Sequence, residues 1–360
     1  MTSLPDDRPA VFVWTPDTTV VNGQNIVTRR VVKHQNDFDI SVFEYPAGGG
    51  LSIPSAFWAG FRFLSASIVR RPYVAYLVCA RSTLGFVRDI PALLISRSSI
   101  RAVVHIHGSD FPELFAKPFV GRIAKWIYSN CEIILPSAHL VPQLVEKDFK
   151  RLVVCENFGK VTEGCPQSDV APLRKDAEFQ VLWSSNIMSS KGFFDLVDGM
   201  KLARKSHPKL CLVVLGRPHA DAEKTEQEIK SALDELGLHD WVHLVGAVPP
   251  EAVTQYLEAC DAVALPSTYP SECQPLSIIH AMTVGRKILV ADTPALCATL
   301  GNYPAVFVDR TADSIAQGLL QLIESSSAKT DVTEAHRAEA EIRFSPSSFD
   351  ARITKILRSP

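Results

Sequence analysis

The chain has 360 residues, 46% of them apolar and 21% charged, with a formal net charge of −2. That length suits about two domains, and that balance describes a folded globular protein and excludes a disordered one. No apolar run approaches the roughly 18 uninterrupted residues of a membrane span.

The first residues, MTSLPDDRPAVFVWTP, are acidic where a secretory signal would be basic, so a cytoplasmic protein is expected. Eight cysteines occur without any C-x-x-C pair. Cys79, Cys131, Cys155, Cys211 and Cys260 lie in or beside apolar runs, which reads as reduced core thiols and not as a metal or disulfide framework.

In chain order the first half reads as strands at AVFVWT, FDISVFEY, YVAYLVC, IRAVVHI, CEIILP and RLVVCEN, with helical patterns between several of them. After the first strand, Gly23 lies where a loop turns into a helix, so backbone amides there could approach a phosphate; an ordinary turn is the simpler reading. The absence of G-x-G-x-x-G argues against a nicotinamide site. The NDFD stretch, with Asp37 and Asp39, looks like a metal-binding D-x-D. It enters a strand instead of leaving one, and is read as turn chemistry.

The two halves differ in charge. Residues 1–175 hold 20 Lys and Arg against 15 Asp and Glu, and residues 176–360 hold 17 against 24. The basic excess gathers between Gly60 and Arg101, where Arg62, Arg70, Arg71, Arg81, Arg88, Arg97 and Arg101 face one acid, Asp89. Solvated helix faces explain that equally well as a surface meeting anionic lipid or a phosphorylated substrate. Nucleic acid is not expected, because neither interleaved aromatics nor a recognised motif accompanies the arginines. After the fourth strand, His105 and His107 share one side of the chain, a spacing open to metal ligation. No third ligand of matching character accompanies them, so His107 is read as facing a cleft at the strand end with His105 packed beneath.

The second half alternates more cleanly: FQVLWSS, a helix after Lys191, LCLVVLG, a helix over 221–237, WVHLVG, a helix over 250–259, DAVALP, a helix over 276–284, KILVAD and AVFVD. Short Val/Ile/Leu strands between amphipathic helices imply parallel sheets covered on both faces. Two such blocks with a seam near 168–179 imply two doubly wound domains, whose ligands bind beyond the strand ends. Lys191 at a helix start is misplaced against the helix dipole unless an anion lies beside it or it is simply solvated. In DAVALPSTYPSECQPLSIIHAMTVG a strand breaks at Pro266, and a loop carries Glu272. A helix start then offers the amides of Cys273 to Ser277 to a pyrophosphate. Glu272 could accept sugar hydroxyls or merely assist the helix start, and His280 could reach a ribose or pack in the core.

The order SSNIMSSKG, LVVLGRP, VHLVGAVPPEAVTQYLEACDAVALPS and ECQPLSIIHAM, over about residues 179–308, resembles the C-terminal domain of the retaining glycosyltransferases of family 4. The first half resembles them more loosely, through the Gly23 loop, HIHGSD and ENFGKV. The resemblance implies the GT-B fold, two Rossmann-like domains facing a cleft. An acceptor domain spans 1–173, a nucleotide-sugar domain 174–344, and a final helix at 345–360 packs back on the first. It implies that Glu272 contacts the donor sugar, that Lys191 with Asn186 and the amides of Cys273, Gln274, Leu276 and Ser277 hold the phosphates, and that His280 stands at the ribose. Ala247, in the VGAVPP loop, borders the base, and His107 stands near the reacting sugar. Two positions depart from the family pattern, Asn186 where an Arg is usual and His280 where a second Glu is usual. The implied chemistry is metal-free sugar transfer with retention from a nucleoside-diphosphate sugar, with no cofactor. The implied acceptor is a saccharide or a polyprenyl-diphosphate-linked saccharide, met at the inner face of a membrane during polysaccharide or glycolipid assembly. A catalytically weak GT-B partner subunit and a sugar-nucleotide epimerase are the rival readings.

Overall fold

The computed structural model describes residues 8–19, 22–46, 52–78, 82–159, 177–221, 223–235, 241–325 and 332–359. It divides into two compact units, Met1–Asn157 with Ser347–Pro360, and Phe158–Pro346. Each is a doubly wound parallel α/β sheet, the architecture expected of a GT-B chain. Most of the expected seam at 168–179 lies outside the described residues, as do Cys79, Arg81 and the end of ENFGKV.

The first unit is built on β1 (Ala10–Pro16), β2 (Asp39–Tyr45), β3 (Val74–Val78), β4 (Arg101–His105), β5 (Glu132–Leu135) and β6 (Leu152–Val154). All neighbours pair in parallel, in the order β2-β1-β3-β4-β5-β6. β3 is buried at every position, which is why it reads as an unbroken apolar run, whereas the edge strand β2 is mostly half-exposed. Helices α1 (Gly23–His34), α2 (Ser52–Arg70), α3 (Thr83–Leu93), α4 (Val120–Tyr128) and α5 (Val141–Val145) connect the strands. The crossovers from β2 to β3, β3 to β4 and β4 to β5 run one way across the sheet. With right-handed connections α2, α3 and α4 therefore share one face and α1 takes the other.

The second unit holds β7 (Phe179–Ser184), β8 (Leu210–Leu215), β9 (Val242–Gly246), β10 (Ala262–Leu265), β11 (Lys287–Ala291) and β12 (Val306–Val308), in the order β12-β11-β10-β7-β8-β9. Its helices are α6 (Phe193–Ala203), α7 (Glu226–Glu235), α8 (Pro250–Ala259), α9 (Leu276–Val284), α10 (Pro294–Leu300), α11 (Ala312–Glu324) and α12 (Glu334–Arg343). One core joins β7, β8, β10 and β11 to α6, α9 and α11 through residues such as Trp183, Phe193, Leu212, Ile279 and Leu289. The helix expected over 221–237 begins only at Glu226. The Asp221 carboxylate accepts the amides of Glu223 and Lys224 at 2.9 Å and ties the preceding residues into a turn.

The last helix, α13 (Pro346–Arg358), lies with the first unit from Ser347 onward. Arg30 forks onto Asp350 at 2.6 and 2.9 Å, Thr354 donates to Gln35 at 2.7 Å, and Arg101 donates to the carbonyl of Ile356. Asp37, of the NDFD stretch, pairs with Arg358 at 2.8 Å, and Asp39 opens β2. Among the described residues Cys131, Cys155, Cys211, Cys260 and Cys273 are buried free thiols. Burial pushes the Cys131 and Cys260 thiols up to about 12 and Cys155 up to about 11, so they stay protonated and inert.

Candidate functional site

In the second sheet the chain steps outward from β7 to β8 and β9, then returns to place β10 on the other side of β7. Such a switch point opens a crevice outside the carboxyl ends of the two strands. Two loops fill its rim, one from Ser185 to Gly192 after β7 and one from Pro266 to Pro275 after β10. They are pressed together at Gly192, which caps α6 with φ +79°. A Cβ there would overlap the carbonyl oxygen of Pro266 and sit 3.0 Å from its Cγ, so only glycine lets the loops meet.

Lys191 and Glu272, one from each loop, form an ion pair across the switch point at 3.2 Å, with side chains only 15% and 12% exposed. The Lys191 ammonium also donates to Ser185 Oγ at 2.9 Å and lies 5.6 Å from the Tyr269 ring centre. Glu272 Oε2 accepts from Ser267 Oγ at 3.2 Å as well. The lysine that looks misplaced at a helix start is therefore held by a carboxylate from the neighbouring loop, which fixes its position in the crevice.

A second layer of polar contacts fixes the loops, and sequence reasoning missed it. Ser190 donates from its amide and its hydroxyl to Asp221 at 2.7 Å each, and its carbonyl accepts the Thr268 amide at 3.1 Å. Burial alone would raise the Asp221 carboxyl, but the bonds from Ser190, Lys224 and Glu223 outweigh it and hold it below its ordinary value. Arg310 binds Glu223 through both terminal nitrogens at 2.8 Å, Asp195 at 2.5 Å and Thr268 Oγ1 at 3.0 Å. These partners, Glu223 first, raise the Arg310 guanidinium above its ordinary value against the cost of burial. Nothing in the sequence pattern announced it, because the partners come from loops distant in sequence and part of this stretch was expected as helix.

The loop after β10 runs into α9, whose first residue follows Pro275; no side chain caps this end. Cys273 and Gln274 are buried, while Leu276 and Ser277, on the first turn, are half-buried and leave amides without intrahelical partners. His280 lies one turn further, 8% exposed, and its Nε2 has no hydrogen-bond partner. Burial pushes its imidazole down to about 4. An unfolded histidine protonates near 6.5, so between pH 6.5 and 4 the unfolded chain binds the extra proton. The stability held by neutral His280 is complete above pH 6.5 and is lost as pH falls toward 4, by about 2–3 kcal/mol. Urea titrations at pH 7.5 and 4.5 should therefore show a larger loss for the native chain than for His280→Gln; equal losses would refute the assignment.

The remaining expected residues lie apart. Asn186 is exposed in the β7 loop, between Ser185, whose amide bonds Leu215, and Ile187, whose amide bonds Arg217. Ala247 is exposed just after β9. In the first unit Gly23 is the exposed first residue of α1, with Asn22 capping the helix by accepting the Asn25 amide at 2.8 Å. His107 is half-buried two residues beyond β4, its ring 4.2 Å from that of His105. His105 is fully buried, its Nδ1 lies 2.5 Å from the Tyr76 hydroxyl, and burial pushes it down to about 3. Among the described residues no group of three or more His, Cys, Asp and Glu side chains is placed to hold a metal ion.

Both loops of the switch point, with Asp221, Glu223, Ala247, His280 and Arg310, fall within one segment that known proteins share. Residues 167–339 match the family model described as glycosyl transferases group 1. The chain is also 20% identical over 280 residues to the amylovoran biosynthesis glycosyltransferase AmsK of Erwinia amylovora. That alignment takes in 72% of this chain and 61% of the relative, so the chain spans less than two thirds of it. Among solved structures, the Anabaena protein Alr3699/HepE in complex with UDP and glucose superposes with a TM-score of 0.74 at 17% identity, covering 98% of this chain and 100% of that one. The sucrose-phosphate synthase of Thermosynechococcus elongatus superposes with a TM-score of 0.73 at 14% identity, covering 98% of each chain. At such identities the structural likeness establishes the fold, and the group 1 match falls within the second unit.

Proposed function

We propose that the chain is a glycosyltransferase that moves a hexose, with retention and without a metal ion, from a nucleoside-diphosphate sugar to a saccharide or polyprenyl-diphosphate-linked saccharide. The observation that carries this reading is the Lys191–Glu272 pair at the switch point, beside the uncapped start of α9 and inside the group 1 segment. A diphosphate placed there would meet an ammonium and a helix N-terminus, both favourable to negative charge. The matches to an amylovoran biosynthesis glycosyltransferase and to a chain solved with UDP and glucose support a nucleotide-sugar donor and a place in polysaccharide or glycolipid assembly.

In this mechanism Lys191, Asn186 and the amides of Cys273, Gln274, Leu276 and Ser277 take the diphosphate. Glu272, oriented by Ser267 and Lys191, accepts hydroxyls of the transferred sugar. Neutral His280 serves one ribose hydroxyl, and backbone near Ala247 borders the base. The acceptor oxygen bonds the anomeric carbon on the face from which the diphosphate oxygen departs, and the acceptor proton passes to that departing oxygen. Lys191 and the helix amides stabilise the charge that builds on the leaving group.

The test is a thermal-shift panel of sugar nucleotides on the native chain, Glu272→Ala and Lys191→Ala. A donor at about 100 times its dissociation constant adds about 2.7 kcal/mol of native stability. One responsive donor, silent in both variants, is the expected result. No response to any donor would instead leave a partner subunit, and an altered sugar released without acceptor would indicate an epimerase.

A further inference from the structure

The outer face of the α2–α3–α4 layer in the first unit is apolar and basic at once. A helix on a sheet needs one apolar stripe, and α2 has two. Ala56, Gly60 and Phe63 face inward and are buried, while Phe57, Trp58, Phe61 and Ile68 are exposed, Trp58 to 67%. Phe57 and Phe61 pack edge to face at 5.2 Å on the outer stripe. α4 repeats the pattern. Phe119, at its cap and 75% exposed, is followed by Ile123 and Trp126 at helical spacing, with Arg122 and Lys125 beside them. Between the two helices, Leu84 of α3 is 70% exposed. Lys117 ties the turn before α4 to Thr83 of α3 at 2.6 Å, and the Arg97 guanidinium stacks 4.3 Å over Trp126.

The charges point one way. Neither α2 nor α4 contains an acid, and Asp89 of α3 is buried and gripped by Arg88. The exposed basic groups include Arg62, Arg70, Arg97, Lys117, Arg122 and Lys125; the exposed acids include Glu113, Glu146 and Asp148, the last of which pairs with Lys125 at 2.9 Å. The sequence reading found no aromatics interleaved with the arginines, and the folded face corrects it. Exposed tryptophan and phenylalanine are set among arginine and lysine, the composition of a surface that lies in a membrane interface. Among the described residues no helix is long and apolar enough to cross a membrane. A second copy of the chain fits less well, because a two-fold contact would set these basic groups against their own copies.

We propose that this face docks on an anionic bilayer, with Trp58, Phe119 and Trp126 at the boundary of headgroups and acyl chains and the basic side chains on lipid phosphates. The inference rests on the reading above, in which the acceptor is lipid-linked, and names the surface that brings the chain to it. Arg88 and Arg101, counted in the basic excess of the sequence, take no part. Arg88 is spent on Asp89 and Tyr45, and Arg101 on Glu132 and the end of α13.

The experiment is co-sedimentation of the full chain with vesicles of phosphatidylcholine alone or mixed with phosphatidylglycerol, together with quenching of tryptophan emission by brominated acyl chains. Binding to the anionic vesicles with quenching is expected. Each basic side chain near such a surface contributes about fivefold, so Arg62→Glu with Arg122→Glu should weaken binding by about 25-fold or more. Trp58→Ser with Trp126→Ser should weaken it about tenfold or more and abolish the quenching. Sensitivity to the arginines alone, with no quenching and native affinity in the tryptophan variant, would overturn the proposal in favour of simple adsorption. Self-association lost in the tryptophan variant, without vesicle binding, would overturn it in favour of a second copy. The donor-induced thermal shift should be unchanged in both variants, because neither alters the second unit. Vesicle binding without any donor response would leave the docking face standing and remove the transferase reading.

Discussion

Lys191→Ala is expected to lower kcat/KM for sugar transfer by about 10²–10³-fold, the usual cost of removing one preorganised donor from a site of developing charge. The geometry makes a sharper statement possible. Lys191 neutralises Glu272 at 3.2 Å in a pair that is mostly removed from water. Truncating the lysine removes a cation and also takes the ammonium away from a carboxylate that faces the diphosphate and still accepts from Ser267 at 3.2 Å. A donor therefore meets a loss and a repulsion together. Glu272→Gln, introduced into Lys191→Ala, should recover part of the donor affinity by removing the repulsion, although the same change alone weakens binding. That inversion of sign is a coupling that only neighbouring charges on one ligand produce. Strictly additive losses in the double-mutant cycle would show that the pair does not face the phosphates. Any stability cost of Lys191→Ala, from loss of the ion pair, is read separately from the melting temperature without donor.

The fold was legible in the sequence because parallel strands buried on both faces read as plain apolar runs. YVAYLVC, LCLVVLG and DAVALP became β3, β8 and β10 for that reason. The site was legible as positions: Lys191 before a helix, Glu272 before another, His280 one turn into it. What those residues touch was not, because the partners come from loops distant in sequence. Nothing near Lys191 announces Glu272, and Ser190 finds Asp221 only because β7 and β8 are neighbours in the sheet. Arg310 drew no reading from the sequence, yet it joins Asp195, Glu223 and Thr268. The basic excess of the first half was visible as a count. Its division into arginines bound within the fold and arginines on an apolar face depended on which helices share a side of the first sheet. For the same reason α2 reads as one apolar helix, and only burial separates its inner stripe from its outer one.

Gly192→Ala should damage both the stability and the site of the second unit. Its backbone sits at φ +79°, a conformation that costs a residue with a side chain about 1–3 kcal/mol, and the new Cβ would overlap the Pro266 carbonyl. Backbone offers no rotamer by which to yield, so one loop must move away from the other. Lys191 is the preceding residue, and the Pro266–Pro275 loop carries Glu272, so any such movement opens the ion pair. A displacement of about 1 Å can cost on the order of 10²-fold in rate. Gly285→Ala separates strain from displacement. Gly285 has a similar φ of +75°, but it ends α9, and the nearest obstacle to its Cβ is the Arg337 side chain at 3.2 Å, which can swing aside. Both variants should lose stability in chemical denaturation, and only Gly192→Ala should also lose the donor-induced thermal shift. If Gly192→Ala melts lower but still answers the donor as the native chain does, the contact between the two loops supports folding alone and does not set the geometry of the site.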